Sequence, residues 1–290
     1  METDVQTRLT LALGRLGPRL KQAARYVLDH PEAVALHSLR TLAAQAEVAP
    51  ATLSRLARAV DCADYEEFRR SYQARLTERS FAARAEALQG AGSGLMQDQA
   101  KAVVGNLDSF LAEDSEGLIE RAARLLVAAE SVNVVGMLSS FSLAVYAHYV
   151  ASMALPHWSL LRIQGGSLAD SLYDLSPRDV VLAFTSAPYS RATVMACRDA
   201  KSHGATLIAI TDRRSSPLAR LADVPLVAEA ESPSFFPSVA AQFAVLEGLL
   251  ATVLRESGAP ALEKLQAVEE ARRAYREFWD DERDSITPVN

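Results

Sequence analysis

The chain has 290 residues and a net charge of −6, and 49% of its residues are hydrophobic while 23% are charged. This composition is typical of a globular protein with one large or two modest domains, and the negative charge argues against a protein coated in nucleic acid. No run of about 18 uncharged apolar residues predicts a membrane span, and the amino terminus lacks the basic and then apolar layout of a secretory signal. We therefore expect a cytoplasmic protein that does not contact a membrane.

Cysteine and histidine usage predicts no redox or metal chemistry. Cys62 and Cys197 lie far apart without CxxC spacing, which favours two reduced thiols. The five histidines show no metal-ligand spacing, so each is expected to be a surface or packing residue. The sequence therefore predicts no metal and no cofactor.

Charge is distributed unevenly along the chain. Residues 1–80 hold 12 Lys and Arg residues against 10 Asp and Glu residues, a balance of +2. The remainder holds 18 against 26, a balance of −8. This asymmetry fits a small unit that faces nucleic acid, joined to a larger acidic unit.

The amino-terminal part of the chain has the periodicity of helices. Residues 5–28 predict two short helices, and residues 39–60 predict a helix, a tight turn and a second helix. Residues 65–88 predict one charged amphipathic helix, and the segment GAGSG at 90–94 then breaks the chain. We expect a linker at this break.

After the break, short β-rich runs alternate with helical patterns. These runs are VNVVG (132–136), SLLRI (159–163), DVVLAF (179–184), ATLIAIT (205–211) and VPLVA (224–228). Strands that alternate with helices favour a parallel sheet covered on both sides, and near-continuous apolar runs suit strands that are buried on both faces. Residues 238–255 predict an apolar helix, and residues 260–279 predict a more charged one.

The segment LRTLAAQAEVAPATLSRLARAV at 39–60 has the pattern of a helix-turn-helix. Small and apolar residues mark the inner face of each helix: Leu42, Ala43, Ala46, Leu53, Leu56, Ala57 and Val60. Pro50 suits the first position of the second helix, which needs no amide donor. Glu47 stands where the turn usually prefers glycine, and Ala49 replaces the usual Ser or Thr cap.

The second helix of this pair turns hydroxyl and guanidinium groups outward, and base edges and phosphates require such groups. We expect Thr52 and Arg55 to contact base edges, and Ser54 and Arg58 to contact phosphates or bases. The expected neutralisers of the DNA backbone are Arg40, Arg69 and Arg70. The alternative is an ordinary helical hairpin with a solvated basic face.

Small polar residues follow most of the predicted strands. In open parallel α/β sheets, ligands bind outside the carboxyl ends of the strands, where hydroxyls and free amides suit an anionic, polyhydroxylated small molecule. The residues expected to bind such an effector are Ser139, Ser140, Thr185, Ser186, Ser190, Arg191, Thr193, Ser232 and Ser234. The alternative for any one hydroxyl is a helix cap, and for Arg191 it is a solvated position at the start of a helix.

The stretch SLRTLAAQAEVAPATLSRLARAVDCADYEEFRRS resembles the amino-terminal domain of RpiR/MurR-type bacterial transcription regulators. VNVVGMLSS, DVVLAFTSAPYSRAT and ATLIAITDRRSSPLARLAD resemble the sugar isomerase (SIS) domain that follows it in that family. The resemblance covers about residues 5–255. It implies an N-terminal all-α helix-turn-helix domain plus an α/β three-layer SIS domain with a mainly parallel five-stranded sheet. The implied divisions are a DNA-binding domain at 1–80, a linker helix at 81–110, the SIS domain at 111–258, and a C-terminal helix and tail at 259–290.

The resemblance also implies a homodimer or tetramer that binds double-stranded operator DNA, regulates carbohydrate metabolism and holds a sugar phosphate in its SIS domain. The sequence departs from the family pattern G-x-G-x-S at Leu138, which replaces the second Gly. It departs from S-x-S-G-x-S/T at Ala187 and Pro188, which replace the second Ser and the Gly. Because that hydroxyl and that amide often hold phosphate, the alternative effector is a sugar acid with Arg191 as its counter-charge.

Two other classes of function compete with a regulator. SIS folds also form aldose–ketose isomerases, and that reaction needs a base, for which Glu231 and His148 are the candidates. A purely structural or interaction protein would leave the hydroxyl-rich strand ends unexplained. The DNA-binding pattern favours the regulator, so we expect no catalysis. Dimerisation is expected through helix 238–255 and an amphipathic tail that contains Leu262, Leu265, Val268, Tyr275 and Phe278.

Overall fold

A computed structural model describes residues 5–90, 92–112, 114–161 and 172–279 of the chain. The chain divides between Gly92 and Ser93 into two compact units. Each unit has hydrophobic core clusters of its own. The predicted domain boundaries at residues 80, 110 and 258 stay predictions. Within the described ranges, no helix combines the length and apolar character that a membrane span requires.

The described elements of the first unit are helices. They are α1 (Val5–Ala12), α2 (Pro18–Asp29), α3 (Pro31–Leu36), α4 (Leu39–Gln45), α5 (Pro50–Ala59), α6 (Tyr65–Arg79) and α7 (Phe81–Gln89). The helices α2, α3 and α5 begin with proline, whose fixed φ and missing amide hydrogen suit the first helical position. The apolar faces of α1 to α6 meet in one core, in which Leu9, Val27, Leu42, Leu56 and Phe68 are fully buried.

The prediction of one helix over residues 65–88 is wrong, because the chain leaves the helical conformation at Ser80. This residue has an extended backbone (ψ 124°), and its Oγ accepts a hydrogen bond from Ala83 N at 3.4 Å. A serine side chain that caps a following helix competes with continuation of the preceding one. The segment therefore forms α6 and α7 as separate helices.

The second unit is built around a parallel sheet of five described strands in the order β2-β1-β3-β4-β5. The strands are β1 (Val132–Gly136), β2 (Trp158–Leu160), β3 (Val180–Thr185), β4 (Thr206–Thr211) and β5 (Val224–Val227). The helices are α8 (Leu95–Leu111), α9 (Ser115–Ala128), α10 (Phe141–Ala154), α11 (Arg191–Ser202), α12 (Pro217–Leu221) and α13 (Ala240–Tyr275). The predicted run at 159–163 corresponds to β2, and its residues 162 and 163 lie outside the described residues.

Helices cover both faces of this sheet. Alternate residues of a strand point to opposite faces, and each face buries its own cluster. Val134, Leu182 and Ile208 pack with residues of α9, α10 and α13, whereas Val181 and Leu207 pack with residues of α11 and α12. The three-layer α/β fold predicted for this unit, with its parallel five-stranded sheet, is thereby confirmed.

The two predicted C-terminal helices are the two arms of α13, which is kinked at Gly258 (φ 64°, ψ −150°). Glycine reaches this positive φ at little steric cost. The first arm places Val245, Leu246 and Leu249 in the core of its own unit. One face of this arm therefore lies in the core of its own unit, and the predicted dimer contact through helix 238–255 stays a prediction. In the second arm, Leu262 is exposed.

Candidate functional site

The first candidate site is the helix pair α4 and α5. Ser38 caps the start of α4 with its Oγ, and α4 ends where Val48 N donates a hydrogen bond to Ala43 O at 3.0 Å. In the turn between the helices, Glu47 adopts a left-handed backbone (φ 53°), which destabilises a non-glycine residue by about 1–2 kcal/mol. Ala49 provides no side-chain cap for α5. Both departures noted in the sequence thus have a structural counterpart, and neither prevents the turn.

A glutamine of α2 holds this turn from the other side. Gln22 Nε2 donates hydrogen bonds to the carbonyl oxygens of Ala46 (3.1 Å) and Glu47 (3.3 Å), and Gln22 Oε1 accepts one from Arg19 Nη1 (3.2 Å). Sequence reasoning missed Gln22. Its partners in the turn are backbone atoms 24 and 25 residues further along the chain, so no side-chain pattern in the sequence predicts the contact.

The predicted DNA-contacting side chains lie on the outward side of this helix pair. Arg40, Arg55 and Arg58 are exposed, while Thr52 and Ser54 are half-buried. Arg70 is also exposed. Arg69 differs, because its Nε donates to Ala35 O at 3.3 Å and its Nη1 lies 3.8 Å from Glu66 Oε2. Its guanidinium is therefore partly committed to the protein.

The second candidate site is at the carboxyl ends of the strands. After β1, a short 3₁₀ turn at Leu138–Ser140 leads into α10. Gly136 allows this turn to approach, because a Cβ there would overlap the Ser140 carbonyl group, whose carbon would lie 3.0 Å away. Leu138 has a left-handed φ of 57° and is exposed, at the position where the resembling family has glycine. Ser140 is buried and Ser139 is exposed.

The loop after β3 brings four predicted effector residues together. Ser190 N donates to Thr185 Oγ1 (3.3 Å), and Ser190 Oγ caps α11 by accepting from Thr193 N (3.3 Å). Ser186 Oγ accepts from Gln242 Nε2 at 2.6 Å. All four hydroxyl-bearing residues are buried. Sequence reasoning missed Gln242, and its only signal was a polar residue inside the apolar pattern of α13.

The end of β4 joins the same network. Thr211 Oγ1 donates to Thr185 O at 2.7 Å, which ties the two strand ends together. Asp212 is only 3% exposed, and its Oδ2 accepts hydrogen bonds from Ala187 N (3.4 Å) and Arg213 Nε (3.0 Å). A buried carboxylate therefore lies against the predicted effector loop. The sequence marked Asp212 only as a polar residue at a strand end.

The predicted residues after β5 make contacts with α8. Ser232 Oγ donates to Gln99 Oε1 at 2.8 Å, and Ser234 N donates to Ser232 Oγ at 3.1 Å. Asn106 of α8 exchanges two hydrogen bonds with the backbone of Glu231, at 2.9 and 3.2 Å. The hydroxyl of Ser232 is thus engaged inside the unit, and the loop after β5 is fastened to α8.

The candidate acid–base residues of an isomerase form no hydrogen-bonded pair in the part of the chain that the structure describes. Glu231 is exposed in the loop after β5, and His148 lies midway along α10. No cluster of His, Cys, Asp or Glu within the described ranges could hold a metal ion.

Arg191 is exposed at the first position of α11. A groove of about 300 Å³, lined in part by Val132 and Trp158, lies at the amino ends of the strands, away from the hydroxyl-bearing loops.

Comparison with known proteins agrees with this geometry. The SIS domain family model matches residues 125–252. The sugar isomerase domain of an RpiR transcription factor from Sphaerobacter thermophilus is 30% identical, with 61% of this chain and 98% of that chain covered and a TM-score of 0.57. Vibrio vulnificus NanR, solved with ManNAc-6P, shares the fold at 19% identity over 93% of this chain and 98% of that chain, with a TM-score of 0.58. An uncharacterized HTH-type transcriptional regulator from Caldanaerobacter subterraneus subsp. tengcongensis is 25% identical over 241 residues, 80% of this chain and 83% of that protein.

Proposed function

This chain belongs to the RpiR family of transcription factors, and from that premise we propose that it binds double-stranded operator DNA with an affinity that a carbohydrate effector alters. The effector class is a sugar phosphate or a sugar acid. The observation that supports the proposal is the presence in one chain of two different surfaces. Outward arginines on a helix-turn-helix suit DNA, and a hydroxyl-rich network at the carboxyl ends of a parallel sheet suits a carbohydrate.

In the proposed DNA complex, α5 enters the major groove. Arg55 and Thr52 contact base edges, since an exposed guanidinium can donate two hydrogen bonds to one guanine. Arg58 and Ser54 contact phosphates or bases, and Arg40 of α4 neutralises the DNA backbone. The contacts of Gln22 with the turn make it a positioning residue for α5.

The proposed effector site uses the hydroxyls at the strand ends. Its residues are Ser139, Ser140, Thr185, Ser186, Ser190, Arg191, Thr193, Ser232 and Ser234. The group around Thr185 and Ser190 has the strongest support, because hydrogen bonds gather it into one buried cluster. NanR, which shares this fold, was solved with ManNAc-6P, and this supports a carbohydrate as the class of ligand.

We also propose that the chain acts without catalysis, as a cytoplasmic homodimer or tetramer. The relatives from Sphaerobacter thermophilus and Caldanaerobacter subterraneus are transcription regulators, and an isomerase would need an acid–base pair over the sugar. A dimer would present two α5 helices to a palindromic operator whose half-site spacing follows the dimer. Effector binding must then change operator affinity by a coupling energy of about 1–3 kcal/mol, the usual range.

The test is a fluorescence-anisotropy titration of the full chain on the DNA upstream of its own gene, at several salt concentrations. Arg55→Ala should weaken binding by about 1–3 kcal/mol and leave ligand-induced thermal stabilisation intact. Arg15→Ala is the control, because Arg15 is exposed but lies outside the helix-turn-helix. Ser140→Ala and Ser190→Ala should weaken effector binding and leave DNA binding by the effector-free chain intact.

Two results would count against this division of labour. The first is a folded Arg55→Ala variant that binds DNA as tightly as the Arg15→Ala control. The second is any of these substitutions that weakens both activities equally without unfolding the chain. Turnover of a sugar phosphate would instead support the isomerase.

A further inference from the structure

The loop between β3 and α11 lacks several of the free amide donors that a phosphate cradle requires. Ser190 N is already bonded to Thr185 Oγ1, and Pro188 has no amide hydrogen. Phosphate sites of this kind are formed by consecutive backbone amides that point at the ligand together with a helix N-terminus. The two consecutive positions at which this loop departs from the family pattern, 187 and 188, therefore bear on whether a phosphate can be held.

The amide at the first of these positions has a carboxylate as its partner. Ala187 N donates to Asp212 Oδ2 at 3.4 Å, and this carboxyl group is 3% exposed. Burial lowers the pKa of Arg213, but its interactions with Asp212, Tyr189 and Glu231 together outweigh burial, and the pKa rises above its usual value. A phosphate oxygen that bonded to Ala187 N would therefore have to displace the Asp212 carboxylate, which Arg213 also holds.

The same network contains two buried polar atoms that lack a hydrogen-bond partner among the described residues. Gln242 Nε2 donates to Ser186 Oγ (2.6 Å) and to Ala228 O (3.4 Å). Because Ala228 O can only accept, this contact fixes which end of the Gln242 amide is nitrogen. Gln242 Oε1 is buried and has no hydrogen-bond partner among the described residues, and the same holds for Thr193 Oγ1.

Resting on the proposed function, we propose that the effector meets this loop with hydroxyl groups and not with a phosphate. The chemical class is a sugar or sugar acid that is unphosphorylated at the end that contacts residues 185–193. A polyol hydroxyl donates as well as accepts, so it can donate to Gln242 Oε1 and accept from the serine and threonine hydroxyls of the loop. A phosphate dianion offers only acceptors, so it cannot donate to Gln242 Oε1, and it must compete with Asp212 for Ala187 N.

The first experiment compares matched ligands on the wild-type full chain by calorimetry and melting shift. The probes are N-acetylmannosamine and its 6-phosphate, gluconate and 6-phosphogluconate, and inorganic phosphate. We expect each phosphorylated probe to bind no more tightly than its unphosphorylated partner, and inorganic phosphate to give no shift. A phosphorylated probe that binds wild type more tightly than its partner overturns the proposal.

The second experiment removes the carboxylate. Asp212→Asn retains an acceptor for Ala187 N but loses the charge that pairs with Arg213, and should raise the affinity for inorganic phosphate and phosphorylated probes by about tenfold or more. Asp199→Asn is the matched control, because it removes the same charge from the exposed side of α11. A folded Asp212→Asn variant that gains no more phosphate affinity than this control also overturns the proposal.

These outcomes are distinct from a failure of the proposed function. If the wild type binds no probe, the comparison of Asp212→Asn with Asp199→Asn still decides the proposal. If Asp212→Asn does not fold, the wild-type probe comparison decides it. The proposed function fails separately, when the chain shows no salt-dependent binding to its upstream DNA.

Discussion

Replacing Gly136 by alanine should destabilise the second unit, because the new Cβ would enter the space of a backbone carbonyl group. The Ser140 carbonyl carbon lies 3.0 Å and Ala144 Cβ lies 3.3 Å from the position that this atom would take, and the Ser140 carbonyl oxygen is closer still. Ser140 leads directly into α10, whose Leu143 and Ala147 are fully buried in the core. The helix cannot retreat without opening that core. We therefore expect a loss of about 1–3 kcal/mol, the usual effect of overpacking.

Thermal unfolding of the full chain, followed by tryptophan fluorescence, measures this loss. Trp158 reports on the right element, because it begins β2 and pairs with Val132 of β1. In a unit of this size, each kcal/mol lost lowers the melting temperature by about 2–4 °C. The matched control is Gly248→Ala, since Gly248 lies inside α13 with no atom within 4 Å of an added Cβ.

The control should change stability in the opposite direction. Alanine inside a helix is more stable than glycine by about 0.5–1 kcal/mol, so Gly248→Ala should raise the melting temperature. The reasoning is refuted if Gly136→Ala melts at or above the wild-type temperature while Gly248→Ala behaves as expected. That result would mean that the turn before α10 moves aside freely.

Two further predictions concern the turn of the helix-turn-helix and the acid stability of the sheet. Glu47→Gly should relieve the left-handed backbone and raise the unfolding free energy of the first unit by about 1 kcal/mol, whereas Ala44→Gly should lower it by a similar amount. Hydrogen exchange in α4 and α5 measures both changes. Equal exchange protection in the two variants would contradict this prediction. Burial raises the pKa of Asp179, but hydrogen bonds from Ser131 and Ser176 outweigh it and hold the pKa below its usual value. Its stabilisation is therefore present above the unfolded pKa of about 3.9 and is lost as pH falls through the folded value, so Asp179→Asn should flatten the loss of stability seen by urea unfolding between about pH 5 and 2. An unchanged pH slope would argue against that role.

The architecture could be predicted because local sequence patterns determine most of it. Buried strands of a parallel sheet need apolar residues on both faces, and the runs around Val181 and Ile208 have this character. The break at Ser80 could not be predicted in the same way. No glycine or proline marks it, and the serine competes with the helix only through its own side-chain hydrogen bond to Ala83 N.

The candidate effector site was only half visible in the sequence. The hydroxyls at the strand ends could be predicted because each one follows an apolar run. Their hydrogen-bond partners could not be predicted, since Gln242 lies 56 residues from Ser186, and Asp212 lies 25 residues from Ala187. Only the folded sheet brings these pairs together, and under the proposal above these partners select the ligand chemistry of the loop.

The two halves of the proposed effector site differ in what they can transmit to the rest of the chain. On the β3 side, Gln242 bonds both to Ser186 and to Ala228 O, just after β5. The loop that follows is fastened to α8 through the contact of Ser232 with Gln99, and α8 is the first helix after the division between the two units. On the β1 side, the turn leads into α10, which packs against α13. A ligand shifts a conformational equilibrium only through contacts that differ between states. Under the proposed function, a ligand on the β3 side therefore contacts a network that continues through the loop after β5 to α8.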